Sequence, residues 1–500
     1  MTRGVIATPH HLASEAGAQV LRDGGNAVDA AIAADAVLCV VYPQMTSVGG
    51  DLMAIVWPAG ASEPVGLIGA GRSGELATID AVRSRGHEVM PERGALTVTV
   101  PGTVEAWGRL LERYGTLGMA PLLEPAAALA ESGYVITERL SNSLKSHAEL
   151  LGKERGAQEL YPPMEAGMLL RNPDLASVLH DLGRGGINGF YRGEIGAAIA
   201  AAIKKRDGFV TTRDLAGHRS QWVEPLSVEY RGLTVYELPP PTQGLTALAI
   251  LARLNGLTHD ELQPGPGFVK SFKRIRDACY PLRDRYITDP DFSTAPLQPF
   301  LDPLHVAVGT GDGHEGGDTI YLCAADEHGN LVSMIQSVAY GFGSGIVADG
   351  TGMLLQNRGC YFSLDATHLN RLEPKKRTMH TLIPAMAARD GRPWAIFGSM
   401  GGDGQPQLQT QVLINLADHG LDPAEALARP RVRVRAGGAV VSVEADYPGA
   451  TDMVRSGFPV ELMPPKHESL GHAHAIVIDG PTAWRAGADP RSDGSAVQVQ

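Results

Sequence analysis

Two strand-like runs, Thr319 to Ala325 and Leu331 to Val338, flank the turn Asp326-Glu327-His328-Gly329-Asn330, and no other stretch of the chain constrains its fold as tightly. Both runs are rich in residues that suit a pleated, buried surface, and a five-residue turn holding Gly and Asn closes an antiparallel hairpin. Pairing them brings Ser337 opposite or next to Thr319, with the register open by one residue. Thr319 also sits at the seam between this strand and the glycine-rich Gly316-Gly317-Asp318.

A threonine in that position has a chemical use. Its hydroxyl is a weak nucleophile that needs a base, and a free α-amine on the same residue supplies one with a pKa near neutrality. Cutting the chain between Asp318 and Thr319 would create both groups at once. Gly316 and Gly317 permit the positive-φ or strained backbone that an acyl shift of the Asp318 carbonyl onto the Thr319 oxygen requires. Taken alone, the stretch from Gly316 to Cys323 is more simply read as a loop entering a buried edge strand, and Ser337 as an ordinary cross-strand serine.

Global properties exclude several function classes. The chain of 500 residues carries a formal charge of -12, which disfavours nucleic acid, whose binding surfaces are basic. The opening Met1-Thr2-Arg3-Gly4-Val5-Ile6 lacks the apolar core of a secretion signal, and no run approaches the roughly 18 apolar residues of a membrane span. The expectation is a cytoplasmic protein. Cys39, Cys279, Cys323 and Cys360 are scattered without C-x-x-C spacing, which fits buried thiols better than zinc. His10-His11 and His472-x-His474 lack a third ligand at recognisable spacing, so no metal is expected. No glycine-rich segment ends in the Gly-Lys-Ser/Thr of a phosphate loop, so no nucleotide or other cofactor is expected.

Patterning gives a mixed α/β chain. Asn26 is a good N-cap, with Asp29 placed to complete a capping box, and the Ala- and Val-rich run from Ala27 to Val41 predicts a buried, closely packed helix. Residues 121 to 205 read as several helices. Pro239-Pro240-Pro241 marks a rigid turn, and a glycine pair, Gly401-Gly402, follows the apolar strand Trp394 to Phe397.

Nearly end to end, the chain resembles the gamma-glutamyltransferase family of N-terminal-nucleophile hydrolases. The likeness rests on Gly24-Gly25-Asn26-Ala27-Val28-Asp29-Ala30-Ala31, Val48-Gly49-Gly50-Asp51, Pro101-Gly102-Thr103-Val104, Pro239-Pro240-Pro241-Thr242-Gln243-Gly244, Gly341-Phe342-Gly343-Ser344-Gly345, Gly398-Ser399-Met400-Gly401-Gly402 and Ala488-Asp489-Pro490-Arg491-Ser492, in that order. The family's nucleophile begins a strand seven residues before an Asp-x-x-Gly-Asn turn, as Thr319 does here.

This resemblance implies a four-layer αββα sandwich, built from a large piece, 1–318, and a small piece, 319–500, that stay associated as one interwoven domain. Further pairing of such heterodimers is left open. It also implies Thr319 as nucleophile, Ser337 as its support where the family has threonine, and the Gly401 and Gly402 amides as oxyanion donors. A small-molecule amide is the expected substrate.

At the donor pocket the match breaks down. The family's carboxylate-binding arginine aligns near Ala70, with Arg72 two positions on, and its amine-binding groups fall on Ala339, Arg358 and Tyr361. A paired-serine motif becomes His380-Thr381. An ammonium facing Arg358 and Tyr361 would lose its counter-charge. Arg72, Arg358, Tyr361, His380 and Thr381 are therefore the expected substrate-binding residues. The family-implied substrate is a γ-glutamyl or related anionic acyl donor; Arg72, Arg358 and His380 themselves suit the alternative, a donor lacking the amine, such as oxamate or an N-acylated acid. A non-catalytic binding protein on the same scaffold is the rival of another class.

Overall fold

A computed structural model of the chain describes residues 3–305 and 317–500, so Gly316 and the first two residues, read above from sequence, lie outside the described residues. Two antiparallel sheets stack face to face. Across the seven-stranded sheet run Ser495–Val499, Gly4–Thr8, Asp318–Asp326, Leu331–Ala339, Asp51–Trp57, Val65–Gly69 and Gln221–Val223. The six-stranded sheet runs Ala483–Ala488, Ala473–Gly480, Arg392–Ser399, Ala385–Arg389, Leu233–Glu237 and Leu226–Tyr230.

Side-chain alternation decides which layer each residue feeds. Tyr321, Cys323 and Ala325 meet Met53, Ile335, Met386, Ile396 and Ile476 between the sheets. The intervening Ile320, Leu322 and Ala324 pack under helices on the outer face. Among those helices is Ala27–Val41, every residue of which is buried. Its small side chains let neighbouring helices and strands approach closely, and its cap is the Asn26–Asp29 box. On the far face, Gly244–Leu254, Pro266–Tyr286 and Gln405–Ala417 cover the six-stranded sheet, burying Ala385, Ala395 and Phe397. Helix, sheet, sheet, helix is the four-layer αββα sandwich.

The hairpin forms as its sequence dictates. Asp326 accepts from the His328 and Asn330 amides at 2.9 and 3.0 Å, closing the turn. Its other carboxylate oxygen accepts from the Ala27 amide at 2.9 Å, which locks the turn to the start of the buried helix. The four cysteines are unpaired and buried. No helix among the described residues is long and apolar enough to cross a membrane.

Candidate active site

Thr319 is the second residue of its strand and, by alternation, projects into the layer between the sheets beside Tyr321. It is 1% exposed. The register with the partner strand is regular from Leu331↔Ala325 to Gln336↔Ile320, then shifts, so that Ala339 pairs with Asp318. This irregularity is what the sequence left open. It seats Ser337 beside Thr319, whose hydroxyl donates to Ser337 Oγ at 3.3 Å. Ser337 in turn donates to the Asp318 carbonyl oxygen at 2.5 Å and accepts from the Ala339 amide at 2.8 Å. One serine thus links the Thr319 hydroxyl to the carbonyl oxygen of the peptide bond preceding it.

The glycine pair closes over the same segment. Gly401 and Gly402 have φ of 138° and 51°, conformations that L side chains resist. A Cβ on Gly317 would lie 2.6 Å from Gly402 Cα, so only glycine at 317 allows this approach. Among the described residues neither the Gly401 nor the Gly402 amide donates to a protein acceptor. Gln243 holds the pair in position, its side-chain amide donating to the Gly402 and Thr381 carbonyls, both at 2.9 Å. Arg283 donates to the Gln243 oxygen at 3.2 Å, which fixes the amide's orientation. Gln243 lies in the proline-rich turn and, with nothing in its own residue type to mark it, was legible only as part of a motif.

Arg358, Tyr361, His380 and Thr381 gather together. The guanidinium of Arg358, 1% exposed, donates to Thr381 Oγ1 at 3.0 Å and lies 5.2 Å from the centre of the Tyr361 ring. Among the described residues its Nε and second terminal nitrogen have no partner. Tyr361 stacks on Tyr340 with ring centres 5.9 Å apart. A cavity of about 410 Å3 lies along Cys360, Tyr361, Asn370 and Met379.

Arg72 departs from the expectation. The strand that would have kept it on the site's face ends at Gly69, and its guanidinium is taken up by Asp289 at 2.7 Å, by Asp291 and by the Lys375 carbonyl. It lines a separate cavity of about 550 Å3 with Asp214, His218 and Arg377. Two carboxylates already neutralise it. A further cavity, about 630 Å3 beside Glu154, Arg206 and Asp349, has none of the expected site residues on its wall.

One site residue escaped the sequence reading. Asp51 pairs in register with Ser337 on the adjacent strand and so shares its face. It is 1% exposed, accepts from the Gly71 amide at 3.2 Å, and lies 3.2 Å from Nε2 of His380, itself 1% exposed. Burial pushes the Asp51 carboxyl up to about 7, against the pull of the Arg358 charge. Burial, then Arg358, hold His380 well below its ordinary value, so the imidazole is neutral. The available signal was a carboxylate opening the strand Asp51–Trp57, all other residues of which are apolar.

His10 caps the helix His11–Arg22, accepting from the Leu12 amide at 3.3 Å, and so serves local structure. His472 and His474 are buried, which lowers them to about 3 and about 4. Among the described residues no His, Cys, Asp and Glu side chains gather in a group able to hold a metal.

Known proteins resemble this chain along nearly its whole length. The sequence pattern of the family described as Gamma-glutamyltranspeptidase matches residues 13–499. A "Glutathione hydrolase-like YwrD proenzyme" of Bacillus subtilis is 35% identical, with 100% of this chain and 99% of that protein covered. An "Oxamate amidohydrolase proenzyme" of Klebsiella pneumoniae is 36% identical over 99% of this chain and 98% of its own. The crystal structure of cephalosporin acylase from Bacillus halodurans superposes with a TM-score of 0.90 at 35% identity, covering 99% of this chain and 96% of that one. The chain, with a threonine at the head of its central hairpin and a glycine pair against it, belongs to the gamma-glutamyltranspeptidase family.

Proposed function

We propose that the chain cuts itself between Asp318 and Thr319 and then works as an N-terminal threonine amidohydrolase or acyltransferase on a small anionic acyl donor. The observation that carries this reading is the hydrogen-bonded line from the Thr319 hydroxyl through Ser337 to the Asp318 carbonyl oxygen.

In self-cleavage the Thr319 oxygen attacks the Asp318 carbonyl carbon. Its proton passes to Ser337 as the Ser337 proton moves to the carbonyl oxygen, so no buried charge is left uncompensated. As the carbonyl re-forms, the proton on its oxygen passes to the nitrogen, the C–N bond breaks, the nitrogen leaves as the new amine, and water hydrolyses the ester to give pieces 1–318 and 319–500. In the mature enzyme that amine is the base. Thr319 attacks a substrate amide, Gly401 and Gly402 donate to the oxyanion, the amine hands its proton to the leaving nitrogen, and water or an amine releases the acyl group. The fixed parts of this cycle are the Thr319 oxygen, the paired glycines and the Gln243 brace.

Donor choice rests on Arg358. A buried guanidinium with two unpartnered nitrogens is costly unless a ligand completes it, and a planar carboxylate does so with two hydrogen bonds. Tyr361 lies near the guanidinium where a donor amine would need an acid, which favours a donor without that amine. Oxamate, the substrate named for the Klebsiella pneumoniae relative, has this chemistry. The pieces remain together, in a cytoplasmic protein; pairing of the mature heterodimers into dimers is the family-derived extension of this reading.

Steady-state assays with oxamate and with a γ-glutamyl anilide test the donor assignment. The expected result is turnover of oxamate, with Arg358→Gln raising KM for it by roughly 10- to 100-fold, the scale of charged hydrogen bonds. A clear preference for the glutamyl compound, unaffected by Arg358→Gln, would overturn it.

A further inference from the structure

Asp51 is absent from the catalytic cycle just described, yet it occupies the same face as Thr319 and Ser337. Its surroundings define a closed set of charges. From the loop at 358–361 comes Arg358, whose positive charge reaches both Asp51 and His380. From the segment before Pro384 comes His380, hydrogen-bonded to Asp51. The adjacent strand contributes Ser337, the nucleophile strand Thr319, and the turn after Gly69 the Gly71 amide. Tyr191, whose hydroxyl donates to the Pro101 carbonyl, is a further titratable group that feels the Asp51 charge.

The charge balance of this set constrains substrate binding. Above about pH 7, with Asp51 ionised and His380 neutral, the pair carries one negative charge and Arg358 one positive charge, so the buried cluster is neutral. An acyl donor bringing its own carboxylate to Arg358 would leave the cluster net negative, in a place from which water is excluded. Either the donor is repelled or the cluster gains a proton.

We propose that the Asp51–His380 pair is the counter-charge that Arg358 gives up when an anionic acyl donor binds, and that the pair takes up one proton from solvent as this happens. The proton returns to solvent when the acyl product leaves. Asp51 is thus a positioning and specificity residue: it keeps the empty site neutral and makes affinity for anions depend on pH. Because the two groups share a hydrogen bond, the proton belongs to the pair and not to either member. The ionisation near pH 7 that burial gives Asp51 puts this uptake within the working range.

This inference rests on the anionic-donor reading, and calorimetry separates the two. The mature protein is titrated with oxalate, an unreactive dianion resembling oxamate, at pH 8 in phosphate and in Tris, whose ionisation enthalpies differ. The expected result is binding with uptake approaching one proton, and apparent affinity falling about tenfold per pH unit above the transition. Asp51→Asn abolishes the uptake and flattens the pH profile, whereas a merely structural role would lower activity and leave the profile intact. Oxalate binding with no proton uptake overturns the proposal and leaves the donor reading standing. Failure of oxalate to bind at any pH, in protein that turns over a γ-glutamyl anilide, overturns both.

Discussion

Ser337 carries more of the proposed chemistry than its residue type advertises. It accepts from the Thr319 hydroxyl and donates to the Asp318 carbonyl of the proposed cut, so Ser337→Ala removes both contacts. Self-cleavage in that variant should slow by about 10²- to 10³-fold, the effect of losing one oxyanion donor, and Ser337→Thr should restore it. The time course of full-length chain on denaturing gels measures this. Equal cleavage in Ser337→Ala would remove the serine from the mechanism.

Buried carboxylates make a second residue-scale claim. Asp35, in the helix Ala27–Val41, accepts from the Trp107 indole at 2.8 Å, and its other oxygen has no partner among the described residues. Burial raises it to about 7. Between about pH 4 and that value the folded chain holds a proton that the unfolded chain has released, so the stability contributed by Asp35 falls as pH rises through the window. Asp35→Asn should therefore raise the melting temperature at pH 8 relative to wild type, by an amount on the order of a few kcal/mol in stability, and change it little at pH 4. An equal change at both pH values would contradict the assignment.

At the scale of elements, the hairpin and the glycine turn meet at one point. Gly317 has φ of 113° and leaves no room for a side chain against Gly402. Gly317→Ala should impede self-cleavage, because the scissile carbonyl can no longer be held beneath the Gly401–Gly402 turn. Mass spectrometry of the purified variant checks this by its share of uncut chain, and cleavage at the wild-type rate would show that the close approach is dispensable.

Local rules made much of this scale readable. The hairpin turn, the Asn26–Asp29 capping box, the helix that follows it and the break at Pro239–Pro241 all depend on neighbours in sequence. The register shift near Ser337 does not; it shows only in how the two strands pair. Arg72 departs from its expected place for a related reason. Two residues preserve a face only while the strand lasts, and Asp289 and Asp291, more than two hundred positions away, capture the guanidinium. Asp51 stood in view within a motif, but its meaning comes from His380 and Arg358, which only tertiary packing brings to it.

For the whole molecule, the proposed cut falls in the middle of a sheet and not between domains. Asp318–Asp326 is flanked by Gly4–Thr8 from the large piece and by Leu331–Ala339 from the small one, which itself pairs with Asp51–Trp57. The second sheet is shared as well, with Leu233–Glu237 against Ala385–Arg389. Separating the pieces would expose both cores, so cleavage should leave one cooperative unit. Size-exclusion chromatography should give a single native peak holding both pieces, resolved only in denaturant. Spontaneous separation in native buffer would contradict the interwoven architecture.

Intact-mass analysis of active protein under denaturing conditions tests the central claim most directly. Two species are predicted, matching residues 1–318 and 319–500, the second beginning with a free threonine amine. Active protein that runs as one unbroken chain of 500 residues would contradict it, and would point instead to a scaffold that never processes itself.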